Sequence, residues 1–379
     1  MINANADVMG IIFPNIYDTV APELVRERMM GSIPFASRYR MIDFILSSMV
    51  HSGIDNIAIL VRQNYHSMMD HVGSGREYDL TRKNGGLMIY PPFSQKGMGN
   101  YSGRIDALEG ILVDLKKQKE KYVIMSDCNI AMNFDFKDMI AAHAASGADI
   151  TIAYKKEPMP EGFMLSDTNK AFYYTLDIED GLVNGFHVNK KEEGIQNLGM
   201  NIYMMEREWL IKKVDECFVA GGINFERDLL LPNIGAMKVA AYEFTGYTAR
   251  IDSIKGYMDQ SLALLDEKNL DALFGGAQIY TKIRDDNPTR YMGHAKVANV
   301  MVADGCVIEG EVENSVLFRG VKIGRGAKVK NCILMQDTVV EDGVRLEHVI
   351  ADKSVVITEG KEVKGEDTYP VYINKGKTI

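Results

Sequence analysis

Three stretches of this chain carry residue types that could do chemistry. The first is Asp127, which closely follows the apolar run Tyr122–Met125. In an open parallel sheet, ligands bind beyond the carboxyl ends of the strands. A carboxylate at that point projects into the crevice and could hold Mg²⁺ against substrate phosphates. It could equally be a turn aspartate that organises the next helix. The second stretch is Pro91–Asp106, rich in turn formers (Gly97, Gly99, Gly103), with Phe93 and Tyr101 available to pack against a ring. Long loops over a sheet crevice are often functional, although a structured surface loop would look the same. The third is Gly31–Asp43. Arg38 and Arg40 fall on one side of it if it is extended, with Arg26 and Arg28 just upstream. Arginines grouped in this way suit phosphate or carboxylate ligands, or form a solvated charged face. The four cysteines, Cys128, Cys217, Cys306 and Cys332, are far apart and form no C-x-x-C, so neither a zinc site nor a disulfide framework is expected.

The elements that must position these residues follow from apolar patterning. Val8–Phe13, Asn56–Val61, Tyr122–Met125 and Asp149–Ala153 are short continuous apolar runs, and amphipathic helical patterns cover Asp43–Val50, Asp106–Lys117 and Phe136–Ala145. Alternation at these spacings predicts a parallel sheet with helices on both faces. Met159–His187 alternates polar and apolar residues between glycines, as antiparallel hairpins do. Helical patterns resume at Glu206–Val214 and Ile254–Asp266. The texture turns loop-rich between Leu270 and Tyr291, which places a domain boundary there. The expected organisation is an α/β domain over residues 1–269, a linker over 270–291 and a last domain over 292–379. In that last domain Leu317, Ile323, Val329 and Met335 are six apart, as are Val321, Ala327, Ile333 and Val339, with Gly320, Gly324, Gly326 and Gly343 near corners. Two interleaved six-residue series predict hexapeptide β-helix coils rather than a β-sandwich.

Composition narrows the function. The chain has 379 residues, 46% hydrophobic and 25% charged, and a net charge of −9 with scattered basic residues. That disfavours nucleic acid and anionic membrane as partners. No apolar run approaches the ~18 residues of a membrane span. Val8–Phe13 lacks the flanks of a signal peptide, so a cytoplasmic protein is expected.

With these elements in place, the chain resembles the bacterial ADP-glucose pyrophosphorylase (glucose-1-phosphate adenylyltransferase) family. Pro34-Phe35-Ala36-Ser37-Arg38-Tyr39-Arg40-Met41-Ile42-Asp43-Phe44 is similar to its P-F-G-G-K-Y-R-I-I-D-F. Tyr101-Ser102-Gly103-Arg104-Ile105-Asp106-Ala107 is similar to Y-x-G-T-A-D-A. Ser126-Asp127-Cys128 sits where the family has G-D-H. Leu198-Gly199-Met200-Asn201-Ile202-Tyr203 lies at M-G-I-Y, Phe225-Glu226-Arg227-Asp228 at F-G-K-D, and Ser315-Val316-Leu317-Phe318 at S-V-L-F. The match runs in order from about residue 8 to residue 360. It implies a Rossmann-like nucleotidyltransferase domain with a mixed sheet, followed by a left-handed parallel β-helix. It also implies the reaction ATP + glucose 1-phosphate to ADP-glucose + pyrophosphate, with Mg²⁺. Tyr101, Gly103, Asp106, Gly199, Arg227 and Asp228 would be what remains of a substrate site, and Asp127 a weak metal ligand.

The departures point to a variant. The family's glycine-rich G-G-x-G-x-R-L loop, whose amides approach nucleotide phosphates, is replaced by Gly10-Ile11-Ile12-Phe13-Pro14-Asn15-Ile16-Tyr17. Its K-P becomes Met30-Gly31, and its E-K-P becomes Val188-Asn189-Lys190, where Lys190 could stand in for the lysine. Its W-x-D-V-G-T becomes Thr248-Ala249-Arg250-Ile251-Asp252-Ser253, so that Arg250 replaces a second metal-ligand aspartate and Asp252 could partly compensate. This is the pattern of the D-type subunit made by some Gram-positive bacteria beside a catalytic C-type subunit. The resemblance then implies a regulatory chain, little active alone, in a mixed tetramer for glycogen synthesis. It also implies an effector anion (a sugar phosphate, phosphate or sulfate) held by Arg28, Arg38, Arg40, Arg319 and Lys322. An active nucleotidyltransferase is the alternative. A hexapeptide acyltransferase is a remote one, because His348 is the lone histidine beyond residue 300.

Overall fold

The computed structural model describes residues 2–83, 85–92, 100–165 and 172–379. Phe93, Gly97 and Gly99 of the loop discussed above lie outside them.

A nine-stranded sheet forms the N-terminal part, in the order Gly86–Tyr90, Asn56–Leu60, Val8–Phe13, Tyr122–Asp127, Ile195–Glu206, Ile150–Pro158, Val239–Glu243, Leu182–Val188, Tyr174–Glu179. The first four strands are parallel. The long Ile195–Glu206 strand runs antiparallel to both of its neighbours and makes the sheet mixed. Central strands need two covered faces, and Val8–Phe13 is buried along its whole length. Met9, Ile11 and Phe13 face one layer of helices and Val8 and Ile12 the other, as the two-residue period requires. The Leu182–Val188 and Tyr174–Glu179 strands are the expected hairpin.

Helix Met41–His51 starts where the backbone N–H of Arg40 donates to the Asp43 carboxylate at 3.0 Å, a capping interaction at the N3 position. The stretch expected as one helix from Asp106 is instead two short ones, Arg104–Glu109 and Leu112–Leu115, interrupted at Gly110, where glycine lowers helix propensity. A further helix, Glu267–Phe274, crosses the start of the expected linker at residue 270. Residues beyond it run along the first domain, where the Tyr280 N–H donates to Ser47 Oγ at 2.8 Å.

The C-terminal part is built of short parallel strands, consistent with stacked β-helix coils. Glu311 pairs with Lys328, Val316 with Ile333 and Lys322 with Val339, each 17 residues on. Three sets of positive-φ residues turn the corners: Gly305, Gly320, Asp337 and Ser354; Gly326, Gly343 and Gly360; and Asn299, Asn314, Asn331 and His348. Glycine and asparagine are favoured there because they tolerate the left-handed region. Gly324 is not among them: a Cβ there would meet Asp342 at 2.5 Å. A coil of 17 residues is one short of three hexapeptides, so a strict six-residue series slips. Val340, not Val339, is the buried one, and Leu334, not Met335, fills the coil interior. Met335 instead joins Val316, Phe318, Ile333 and Ile350 in a wall packed against Phe35, Tyr257 and Met258 of the first domain. One continuous core therefore ties the two parts together.

Candidate functional site

The loop after Val8–Phe13 opens the cleft, and it is filled. Asn15 and Tyr17 are buried. The Gly31 N–H donates to the Pro14 carbonyl at 2.8 Å and the Met30 N–H to Asp18 Oδ1 at 2.7 Å. A Cβ on Gly31 would sit 2.8 Å from that of Pro14. Burial pushes the Asp18 carboxyl up to about 7. Tyr17 spans the cleft: its hydroxyl donates to the Phe172 carbonyl and accepts from Asn201 Nδ2, both at 2.6 Å. Asn201 reaches it from a register shift between Gly199 and Ile202, with φ of 57°, a bulge that re-aims a side chain. Gly199 belongs to this bulge and leaves room for the Tyr174 carbonyl, 3.3 Å from where its Cβ would be.

At the centre lies a buried triad. Arg104, the first residue of its helix, donates from one terminal nitrogen to Asp127 Oδ2 and from the other to Glu226 Oε1. Their side chains are 4%, 3% and 1% exposed, so the charges meet in a nearly dry site, where pairing is strong and any missing partner is costly. The guanidinium lies over the Phe13 ring, 5.7 Å from its centroid. Glu226 also accepts from the Tyr203 hydroxyl at 3.0 Å and from Tyr174 at 3.2 Å. Two carboxylates share one cation. Burial, aided by Glu226 and opposed by Arg104, pushes the Asp127 carboxyl up to about 7. Among the described residues its Oδ1 has no hydrogen-bond partner. Arg104 itself is held charged well above its usual range by Asp127 and Glu226, against the desolvation that opposes it.

These residues do not fit a divalent cation. The carboxylate that would bind it already holds Arg104, and a metal would have to sit beside that guanidinium. Among the described residues no three metal-capable side chains converge. Sequence reasoning missed Arg104 and Glu226, yet both were in view. Arg104 stands at the threonine of Y-x-G-T-A-D-A and Glu226 at the glycine of F-G-K-D.

The residues carried over by resemblance are used differently from what was expected. Tyr101 is buried, its hydroxyl 2.5 Å from the Leu60 carbonyl and 2.6 Å from Asn15 Oδ1. Asp106 accepts from the Ser102 and Gly103 N–H groups at 2.6 and 2.8 Å, and Asp228 from Ile223 and Asn224, both at 2.8 Å. Both therefore reach back from the first turn of a helix to N–H groups at its start, as the acidic residue of a capping box does. Gly103 is required because a Cβ there would lie 2.3 Å from the Ile223 carbonyl. Arg227 pairs with its neighbour Asp228 at 2.6 Å. Lys190 is half exposed and pairs with Glu192 at 2.7 Å. Arg250 does not face Asp127 directly: its Nε and Nη2 donate to Glu157 Oε1 at 2.9 and 2.7 Å. Asp252 accepts from Gly162 N at 2.8 Å and Ser253 Oγ at 3.0 Å, so both of its oxygens are engaged locally. Arg250 lines a separate cavity of about 750 Å³, whose lining includes Thr368 and Tyr369 of the last coil.

The basic residues meet at the domain junction, around a cavity of about 330 Å³. Arg38 and Arg40 line it from the first domain, Arg319 and Lys353 from the coils, and Lys282 and Arg284 from the connection. Among the described residues Asp70 is the one carboxylate in its lining, and it accepts from Lys282 at 3.0 Å. Arg40 donates to the Ser67 carbonyl and hydroxyl at 2.6 and 2.9 Å. Burial, and then Arg40 and Arg28, push the Lys353 ammonium down to about 7. Two expected members are elsewhere. Arg28 is spent in a buried pair with Asp352 at 2.7 Å, and Lys322 lies on another coil face, beside Glu309 and Glu341. His348 turns a coil corner and lies 3.2 Å from Asn331 Nδ2, the end of a ladder that runs through Asn314 and Asn299.

A mixed sheet with its cleft at the strand ends, joined to parallel coils, defines a nucleotidyltransferase-type protein with a hexapeptide-repeat domain. Residues 23–172 match the family model described as "Nucleotidyl transferase", and residues 282–369 match "GlmU-like, C-terminal hexapeptide". The chain is 33% identical over 373 residues to the "Glycogen biosynthesis protein GlgD" of Bacillus subtilis (strain 168), covering 98% of this chain and 97% of that one. It is 32% identical to the protein of that name from Geobacillus stearothermophilus, over 86% of this chain and 83% of that one. It is 28% identical to the "Glucose-1-phosphate adenylyltransferase" of Clostridium perfringens (strain 13 / Type A), over 84% and 80%. The chain belongs to the ADP-glucose pyrophosphorylase family, in its GlgD-like branch. No helix among the described residues is long and apolar enough to cross a membrane.

Proposed function

We propose that this chain is a regulatory subunit of ADP-glucose synthesis for glycogen, catalytically impaired alone and acting beside a catalytic C-type subunit in a mixed tetramer. The observation that carries this reading is the basic cavity at the domain junction. Its cations come from both domains, with Arg38 and Arg40 on one side and Arg319 and Lys353 on the other. An anion bound there replaces mutual repulsion with attraction across the junction. It therefore favours one arrangement of the domains over others, which is the differential contact an effector needs. A sugar phosphate, phosphate or sulfate has the required charge. Impairment is supported by the filled loop at Pro14–Tyr17 and by Arg104 on Asp127. The relatives' names support the pathway. In this reading ATP and glucose 1-phosphate react at the partner's site, where Mg²⁺ is held. The chain works in the cytoplasm, and its coils wind left-handed.

The test is ADP-glucose formation by this chain, by a C-type subunit and by their mixture, with and without a sugar phosphate. The chain alone should be more than about tenfold slower than the C-type subunit, a barrier difference above ~1.4 kcal/mol. The mixture should respond to the anion in a way the C-type subunit does not, and Arg40→Ala should weaken that response. Comparable turnover by the chain alone, or an unchanged response in Arg40→Ala, would overturn the proposal.

A further inference from the structure

Arg104 does more than occupy space. Its two terminal nitrogens reach two carboxylates from different elements, Asp127 at a strand end and Glu226 on the helical turn Phe225–Leu230. Three nearly dry charges in one cleft form a demanding arrangement, because removing any one leaves the others unbalanced. The triad carries one positive and two negative groups, and the negative side is further ordered by the hydroxyls of Tyr203 and Tyr174. Those oxygens are what a hard divalent cation would use. We infer that Arg104 is a resident cation in place of a divalent metal: it closes Asp127 and Glu226 to Mg²⁺ and Mn²⁺, and a neutral residue at 104 turns them into a divalent-cation site.

The inference rests on the impaired-cleft part of the proposal above. It is read by metal binding rather than by activity, so the two can fail separately.

The experiment is Mn²⁺ titration of the full chain, following free Mn²⁺ by its electron paramagnetic resonance signal. Wild type and Arg104→Lys should show no saturable binding that depends on Asp127. Arg104→Thr should bind Mn²⁺ at least about a hundredfold more tightly than wild type, since a cation within a few ångströms of the site has been removed. Adding Asp127→Asn to that variant should abolish the gain. Mn²⁺ should also raise the melting temperature of Arg104→Thr and leave that of Arg104→Lys unmoved. Should Arg104→Thr fold poorly, Arg104→Gln keeps the polar bulk and gives the same reading. Saturable, Asp127-dependent binding by wild type would overturn the inference. So would a folded Arg104→Thr or Arg104→Gln chain with no gain in binding. Neither result would touch the effect of the chain on a catalytic partner.

Discussion

Removing Arg28 should loosen the two domains before it affects any ligand. One terminal nitrogen of Arg28 lies 2.7 and 2.8 Å from the two oxygens of Asp352, and the side chains are 3% and 5% exposed. Asp352 also accepts from the Tyr372 hydroxyl at 2.6 Å and the Lys353 N–H at 2.7 Å. In Arg28→Ala those two donors remain, but the carboxylate is left buried without its cation. Breaking a buried pair from one side costs about 3–5 kcal/mol. The expected loss is thus a factor of roughly 10² to 10³·⁵ in the folded-to-unfolded ratio. The single tryptophan, Trp209, packs on the first domain's core, so its fluorescence reports that domain, whereas far-ultraviolet circular dichroism reports both. In urea the wild-type transitions should coincide. In Arg28→Ala both should move to lower urea and separate, as the coils lose their anchor. Arg28→Ala with Asp352→Ala should be less destabilised than the sum of the two single variants. A midpoint for Arg28→Ala equivalent to within about 0.5 kcal/mol of wild type would refute this reasoning.

Two other outcomes follow from the same charges. Lys353 titrates near 7 in the folded chain against 10.5 ordinarily, so the native state binds fewer protons across that window and the anion-free chain gains stability as pH rises through it. Sulfate, which does not itself titrate there, should bind more weakly above pH 7, by up to about tenfold per pH unit; Lys353→Met should flatten this dependence in calorimetric titrations, and a flat wild-type profile would count against it. Arg250→Asp should yield no ADP-glucose synthesis alone, because the new carboxylate faces Glu157 rather than Asp127; the variant should also lose about 3–5 kcal/mol in urea unfolding, and robust synthesis by it would contradict the geometry.

Much of the architecture could be read from the sequence because it is periodic. The buried runs at Val8–Phe13 and Tyr122–Met125 could hardly be anything but central strands, and the six-residue spacing announced coils. What escaped was numerical or tertiary. A coil of 17 residues cannot be told from one of 18 by four spaced residues, and the difference decides whether Met335 faces the coil interior or the neighbouring domain. Arg250 attracted notice as a basic residue at a metal-ligand position, but its Glu157 partner lies 93 residues away and carries no local signal. Arg104 and Glu226 were visible as differences from matched motifs, 122 residues apart. Only the folded chain shows that the two differences answer each other. Likewise, Asp106 and Asp228 look like ligands in a motif but hold helix-start N–H groups, because a carboxylate three to five residues from free N–H groups satisfies them first.

The triad also constrains how this sequence can change. Arg104 and Glu226 are two departures that meet on Asp127, and their order of loss is not symmetric. If Glu226 went first, Arg104 and Asp127 would remain as a matched pair. If Arg104 went first, two buried carboxylates would face each other with nothing between them but what the solvent supplies. A sequence moving away from this triad therefore has an easy first step at residue 226 and a hard one at residue 104. Such coupling between substitutions makes the way out of the Arg104 state a matter of order, with residue 226 changing before residue 104.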